Sequence, residues 1–275
     1  MALERSAKGV GLFGWGAKRR SSASPPSTGG PLIYAIGDIH GRLDLLEDLL
    51  GQIARDMAAT PSDEKPVLVF LGDYVDRGAY SRGVIECAMR ICALENVEVR
   101  ALKGNHEQAM LAFLANPEFG PTWLQNGGAA TLVSYGVAAP QARTTSDLWT
   151  ETRDALERAM PPGHLAFLQN LELCVEYGDY IFVHAGLRPG VPIERQTEQD
   201  MLWIRNEFLE ERRPFSKMVV HGHTPEPEPY AGPVRMGLDT GAYATGVLTA
   251  ARLFGQDRRF IQASAHGDPL AVKAS

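Results

Sequence analysis

Gly72-Asp73-Tyr74-Val75-Asp76-Arg77-Gly78 follows the apolar run Val67-Leu68-Val69-Phe70-Leu71. A short unbroken apolar run bounded by a turn residue reads as a buried strand. Gly72 lets the chain turn sharply at the end of that strand. Two carboxylates and a guanidinium, Asp73, Asp76 and Arg77, then come just past its carboxyl end. In an open α/β sheet this is the edge where ligands bind. Taken alone, the stretch also reads as a charged surface turn. Further strand-like runs that end in metal-ligand residue types decide against that reading.

On either side of this stretch the chain alternates. Residues 32–36 read as a strand. Residues 43–57 have helical periodicity, with Leu45, Leu46, Leu49, Leu50 and Ile53 on one face. A helix over 81–94 follows the central strand, with Ser81 as its N-cap. Residues 97–102 read as a third strand, and 106–114 as a helix. A βαβαβ order implies a parallel sheet covered by helices. Residues 116–170 break the pattern and read as a helical insertion beside the site, with a helix over 145–160. Strands are then expected at 171–177, 180–183, 217–220, 234–238, 246–253 and 260–263, with one helix over 198–211. Pro225-Glu226-Pro227-Glu228-Pro229 must be an extended loop.

The chain has 275 residues, 44% of them hydrophobic, and a net charge of −6. That length and composition suit a globular protein with a substantial core, and no apolar run is long enough to span a bilayer. The acidic balance argues against a nucleic-acid partner. Residues 1–30 differ from the rest: they hold five basic residues (Arg5, Lys8, Lys18, Arg19, Arg20) against one acid (Glu4). They end in a Ser/Pro/Gly linker and read as a disordered basic tail, leaving 31–275 as one folded domain. The short apolar Val10–Trp15 stretch with its basic residues behind it fits a signal peptide poorly. Cys87, Cys92 and Cys174 are too few for a disulfide framework. Cys87 and Cys92 read as core thiols in a reducing cytoplasm.

The loops after the strands carry the chemistry. They are Gly37-Asp38-Ile39-His40-Gly41, the Gly72–Gly78 stretch, Gly104-Asn105-His106-Glu107, His184-Ala185-Gly186 and His221-Gly222-His223-Thr224. Asp38 and His40 are two apart, so an extended turn can aim both at one ion. Asp, Asn and His together suit Mn²⁺, Fe²⁺ or Zn²⁺ better than an all-oxygen cage for Mg²⁺ or Ca²⁺. The set exceeds the needs of one ion, so two are expected, with Asp73 offering one oxygen to each. Two such ions can hold a hydroxide between them and clamp a phosphoryl group for in-line attack.

The ordered series GDIHG, GDYVDRG, GNHE, HAG and HGHT resembles the phosphoprotein phosphatase family of metallophosphoesterases, most closely its bacterial and phage branch typified by lambda phosphatase. Trp123–Gly128, Trp203–Glu207 and Asp239–Ala242 extend the likeness, which covers roughly residues 31–245. The resemblance implies an α/β fold, a metallophosphoesterase-type β-sandwich of two mixed sheets flanked by helices, with a helical insertion near the active site. It implies that Asp38, His40 and Asp73 hold a first metal, and Asp73, Asn105, His184 and His223 a second, Mn²⁺ being the leading choice. Arg77 and Arg205 would grip phosphate oxygens. His106 would protonate the leaving alkoxide, oriented by Asp76. The second histidine of the Gly-His-X-His found in many phosphodiesterases and nucleases is Pro225 here, which favours phosphomonoesters and leaves His221 as a buried, satisfied histidine.

Dephosphorylation of serine and threonine in proteins is the leading function on this resemblance. Hydrolysis of diadenosine tetraphosphate or another small phosphate ester is the alternative. A non-catalytic phosphate-binding scaffold is a third reading, and the full set of expected residues counts against it. Outside the motifs, His164 and His266 read as structural. Asp44, Glu47 and Asp48 read as a solvated helix face, and Arg212 and Arg213 as a surface pair. Glu107 falls in the first turn of a helix, where negative charge is favoured. Trp123 reads as packing, with shaping of the pocket as its other role. Leu12, Phe13, Trp15 and the basic cluster make contact of the tail with a membrane or a partner a testable idea. It predicts that the full chain pellets with anionic lipid vesicles while a chain lacking residues 1–30 does not; equal pelleting removes it.

Overall fold

A computed structural model describes residues 24–141 and 145–265, together with the backbone of 271–273. The strands are β1 (Ile33–Ile36), β2 (Val67–Phe70), β3 (Glu98–Ala101), β4 (Cys174–Tyr177), β5 (Tyr180–Val183), β6 (Met218–His221), β7 (Tyr230–Ala231), β8 (Arg235–Gly237), β9 (Val247–Phe254), β10 (Asp257–Ser264) and β11 (Ala271–Lys273). The helices are α1 (Leu43–Ala59), α2 (Ser81–Cys92), α3 (Asn105–Ala115), α4 (Gly120–Gln125), α5 (Gly128–Ser134), α6 (Ser146–Ala159), α7 (Pro162–Gln169), α8 (Glu198–Trp203), α9 (Asn206–Leu209) and α10 (Ala242–Thr245).

They form two mixed sheets. One is ordered β11-β10-β9-β1-β2-β3 and the other β4-β5-β6-β8-β7. The central strands β1, β2 and β3 run parallel, as expected, with Ile33 opposite Val67 and Val67 opposite Glu98. β5, β6 and β8 are parallel in the second sheet. Strand alternation divides each sheet's side chains between two cores. Ile33, Ala35, Val67, Val69 and Leu71 meet Tyr180, Phe182, Val220, Met236 and Leu238 between the sheets. Tyr34, Ile36, Leu68 and Phe70 point the other way, onto Leu45, Leu46, Leu49 and Ile53 of α1 and onto α2 and α3. Ile181, Val183 and Val219 cover the outer face of the second sheet with Met201, Ile204 and Phe208. Layers of helix, sheet, sheet and helix result. Trp123, Leu132, Trp149, Leu156 and Leu168 of the insertion share the first helical core.

Several elements depart from the sequence reading. Ser81 is the first residue of α2, and Tyr80 is its N-cap; the Ser81 hydroxyl instead accepts the Asp76 N–H at 3.0 Å. The single helix expected over 198–211 is two short ones, because Ile204 is extended (ψ 142°) and Arg205 leaves the helical region (φ −132°, ψ −105°). Cys92 is exposed, while Cys87 is buried. His266 and residues 1–23 lie outside the described residues. The end of the expected linker lies against the fold: Ser27 N–H donates to Asp179 in the β4–β5 turn (2.9 Å), and Thr28 N–H to Gly255 O in the β9–β10 turn (3.1 Å). No described helix is long and apolar enough to cross a membrane.

The sheets bring the motif loops to one edge, and the loops cross closely there. A Cβ on Gly37 would fall 2.4 Å from the Leu238 carbonyl oxygen, and one on Gly72 would fall 2.6 Å from Gly104 N. Gly37→Ala should therefore cost about 1–3 kcal/mol of unfolding free energy, the usual range for forced overpacking. Gly51→Ala on α1, where the nearest atom to an added Cβ is 3.6 Å away, should gain about 0.5–1 kcal/mol from helix propensity. Urea denaturation of the pair checks both signs.

Candidate metal centre

Asp73 lies at the middle of the converging loops. It is 2% exposed, and each of its oxygens faces a different histidine group. Oδ2 is 3.3 Å from His40 Nε2 and 3.8 Å from His106 Nε2. Oδ1 is 3.5 Å from His184 Nε2 and accepts the His106 backbone N–H at 3.1 Å. Two groups of donors able to hold a cation share it: His40, Asp73 and His106, and Asp73, His184 and His223. Asn105 Oδ1 joins the second group, 2.9 Å from His184 Nε2 and 2.9 Å from His223 Nδ1.

Not every expected residue converges in the same way. Asp38 is outside both compact groups; its two oxygens accept the His223 N–H at 3.1 and 3.0 Å. Arg77 is half-buried between the histidines, with Nη1 3.0 Å from His40 Nε2 and Nη2 3.1 Å from His106 Nε2. The Tyr243 ring covers its guanidinium at 4.7 Å. Arg205 is exposed at the rim and donates a long 3.4 Å bond to Thr224. His106 Nδ1 lies 2.7 Å from Asp76 Oδ2, both fully shielded from solvent or nearly so. His221 is satisfied by Gly222 O (3.0 Å) and Arg235 (3.2 Å), and His164 by the Tyr135 hydroxyl (2.9 Å).

The backbone here is strained. Among the described residues, His40, Asp73, Asp76, Arg77 and His223 are the non-glycine residues with positive φ (46°, 54°, 73°, 68° and 66°). Such conformations cost on the order of 1–3 kcal/mol each and persist only where the surroundings fix them. Much of that fixing comes from Glu107, whose importance its sequence position does not reveal. Its fully buried carboxylate accepts the N–H groups of Asp73 (2.8 Å), Tyr74 (2.8 Å), Val75 (3.2 Å) and Gly104 (2.9 Å). Burial and the Asp73 charge push Glu107 up to about 7, against the pull of His106 and of those N–H donors.

Asp76 is held from the insertion. Trp123 Nε1–H donates to its two oxygens at 3.2 and 3.0 Å, and the Thr131 hydroxyl donates to Oδ1 at 2.6 Å. Trp123 thus both packs and shapes the site. The Trp123–Gly128 motif signalled its presence, but nothing in the sequence signalled its partner.

Burial penalises charge throughout the centre. It pushes His40 down to about 3 and His223 to about 2, and lowers His184. These imidazoles are therefore neutral at pH 7, as metal ligation requires. Burial opposes ionisation of Asp73 as well, but His184, His106, His40 and His223 around it hold it well below the usual carboxylate range. Burial would lower His106 too, yet Asp73 and the bond to Asp76 outweigh it and raise His106. Burial raises Asp38 well above its ordinary value, and raises Asp239 to about 6. His223 Nε2 is buried without a hydrogen-bond partner. Convergent neutral imidazoles, a shared carboxylate, an amide oxygen and an unsatisfied ring nitrogen fit divalent cations of the mixed N/O type.

Glu107→Gln should destabilise the chain by about 2–4 kcal/mol, since an amide nitrogen would face donors that a charged acceptor now satisfies. A loss below about 0.5 kcal/mol in urea denaturation, within the range of an ordinary surface change, would mean that the loop keeps its shape without this carboxylate.

Comparison with known proteins agrees with the geometry. The model of the calcineurin-like phosphoesterase family matches residues 31–245. Serine/threonine-protein phosphatase 1 of Salmonella typhimurium is 27% identical over 226 residues, spanning 80% of this chain and 91% of its own. The asymmetrical bis(5'-nucleosyl)-tetraphosphatase PrpE of Bacillus subtilis is 26% identical over 233 residues, spanning 79% and 88%. Among solved structures, that of a cold-active protein tyrosine phosphatase matches with a TM-score of 0.58 at 16% identity, covering 88% of this chain and 79% of the other; at that identity the likeness concerns the fold.

Proposed function

The chain belongs to the calcineurin-like phosphoesterase family, and from that premise we propose that it hydrolyses phosphate monoesters at a two-metal centre, with phosphoserine and phosphothreonine of proteins as the first substrate class. The observation that carries the reading is Asp73, which presents Oδ2 to His40 (3.3 Å) and Oδ1 to His184 (3.5 Å). Asp38, His40 and Asp73 would hold one ion; Asp73, Asn105, His184 and His223 would hold the other. Mn²⁺ suits this donor set, with Fe²⁺ and Zn²⁺ as alternatives. When bound, such ions polarise phosphate oxygens and lower the pKa of a water at the site.

The chain's own side chains supply the rest. Arg77 is poised between the two halves of the centre, and its planar fork turns from the histidine nitrogens to two phosphate oxygens. Arg205, exposed beside Thr224, closes on the phosphate from the other side. His106 is the general acid. Asp76 on its Nδ1 favours the imidazolium, which leaves Nε2–H to donate to the departing alkoxide. Trp123 and Thr131 keep Asp76 fixed, so that the donated proton points one way. The free thiols Cys87, Cys92 and Cys174 suit a reducing cytoplasmic location.

A second reading, hydrolysis of a dinucleoside tetraphosphate, is favoured by Tyr243. Its ring is 41% exposed, lies over Arg77, and meets His40 edge-on at 5.5 Å. A flat aromatic surface beside the phosphate grip suits a nucleobase. It is also the activity in the name of the Bacillus subtilis relative.

Metal-stripped protein resupplied with Mn²⁺ and offered p-nitrophenyl phosphate, a phosphothreonine peptide and diadenosine tetraphosphate separates the two. Higher kcat/KM on the peptide supports the first reading, and higher kcat/KM on the dinucleotide replaces it with the second. His106→Ala should keep its metal yet lose about 10²–10⁴ in turnover of the peptide, the usual worth of a general acid. The loss on the aryl phosphate, whose leaving group needs little help, should be smaller. Equal losses would remove His106 from the acid role.

A further inference from the structure

His221 opens the last motif but belongs to neither donor group around Asp73. It ends β6 and is buried. Its ring meets Phe208 edge-on at 4.9 Å, and each of its nitrogens has a partner of fixed type. Nε2 is 3.2 Å from Arg235 Nη1, and Nδ1 is 3.0 Å from Gly222 O. A guanidinium can only donate and a carbonyl can only accept. The ring is therefore neutral, carries its proton on Nδ1 and donates it to Gly222 O; the partner of one ring nitrogen sets the state of the other. Arg235 is itself buried and held, with its guanidinium over the Tyr230 ring at 4.0 Å and 3.5 Å from the Glu226 carboxylate.

The Gly222 carbonyl is one end of a planar peptide group whose other end is the His223 N–H. That N–H donates to both oxygens of Asp38, at 3.1 and 3.0 Å. The carboxylate lies directly against the turn, where a Cβ on Gly222 would fall 2.0 Å from Asp38 Oδ1. The preceding peptide is held as well, since the Gly222 N–H donates to His184 O at 2.8 Å. Gly222 O also accepts the Thr224 N–H at 2.8 Å, closing a three-residue turn with His223 at its centre, φ 66°. A turn of this kind with positive φ at its centre is rare and strained. The 222–223 peptide is thus gripped between the His221 ring and Asp38, and its rotation about the N–Cα bond is the φ of His223. In that conformation the His223 ring joins Asp73 and His184, with Nδ1 2.9 Å from Asn105 Oδ1 and Nε2 unpartnered. We propose that His221 is a positioning residue of the metal centre: its Nδ1–H, set by Arg235, holds the peptide that joins Asp38 to His223. The inference rests on the two-metal reading above.

Two measurements on the full chain test it. Nitrogen NMR of the metal-stripped protein, labelled in its histidine rings, should find the His221 proton on Nδ1; a proton on Nε2 overturns the inference. Mn²⁺ titration by calorimetry should find two ions on the wild-type chain. His221→Phe keeps a ring against Phe208 and loses the N–H. It should weaken one of the two sites by about tenfold or more, the scale on which groups that orient metal ligands act. His221→Asn, whose amide N–H can take the place of Nδ1–H, should recover most of that loss. Wild-type affinity at both sites in a folded His221→Phe chain, or a loss in His221→Asn equal to that in His221→Phe, overturns the inference and leaves the two-metal reading intact. If thermal melting shows that His221→Phe does not fold, Arg235→Met takes its place. With Nε2 released, it should weaken the same site, and wild-type affinity there overturns the inference. A wild-type chain that binds no Mn²⁺ overturns the two-metal reading and the inference with it.

Discussion

The centre depends on one buried carboxylate whose hydrogen bonds all go to backbone N–H groups. Glu107 gathers the N–H groups of Asp73, Tyr74, Val75 and Gly104. These are donors that a tight loop cannot satisfy within itself, and leaving them unmet in the interior would cost about 1–3 kcal/mol each. Because the same carboxylate grips two loops, it fixes the Gly72–Gly78 stretch against the start of α3. Asp73, Asp76 and Arg77 can then hold positive φ, where residues with a Cβ are otherwise disfavoured. Those unusual angles aim Asp73 inward at the histidines and Asp76 back at His106.

The second constraint is electrostatic. The centre concentrates carboxylates and imidazoles where water cannot solvate them. Burial lowers His40, His184 and His223, whereas His106, beside Asp73 and Asp76, is raised and favours the charged form of Asp73. Negative charge is therefore fixed at the middle and neutral nitrogen donors around it, which is the arrangement a divalent cation stabilises. Arg77 tops this arrangement, and Tyr243 covers Arg77. Among its described residues the insertion adds none to the two groups of donors around Asp73. Its part is to close off Asp76 with an indole N–H and a hydroxyl, which makes the pairing of Asp76 with His106 a property of two separate stretches of chain.

Much of this was legible in the chain. Apolar runs at 32–36, 67–71 and 97–102 with amphipathic segments between them dictate a parallel sheet covered by helices, because each run must bury both faces while each helix buries one. Glycine followed by Asp, Asn or His at the end of such runs marks the loops. What was misread was local and has local causes. Residues 198–211 carry a helical pattern, but Arg205 leaves it to reach the rim beside Thr224. Ser81 looks like an N-cap, but its hydroxyl is taken by the Asp76 N–H. Cys92 has the right period for the core but ends α2 in solvent.

The elements, their order and the residue types at the sheet edge are written locally in the chain, since hydrophobic period and glycine position act through neighbours. Which of those residues meet is set by the packing of the sheets. Glu107 with the 73–75 backbone, Trp123 and Thr131 with Asp76, His223 with Asp38, and Ser27–Thr28 with the turns of both sheets are pairings between distant stretches. No local pattern encodes them, because the partner of a buried polar group is set by which backbones cross, and that follows from packing the two sheets together.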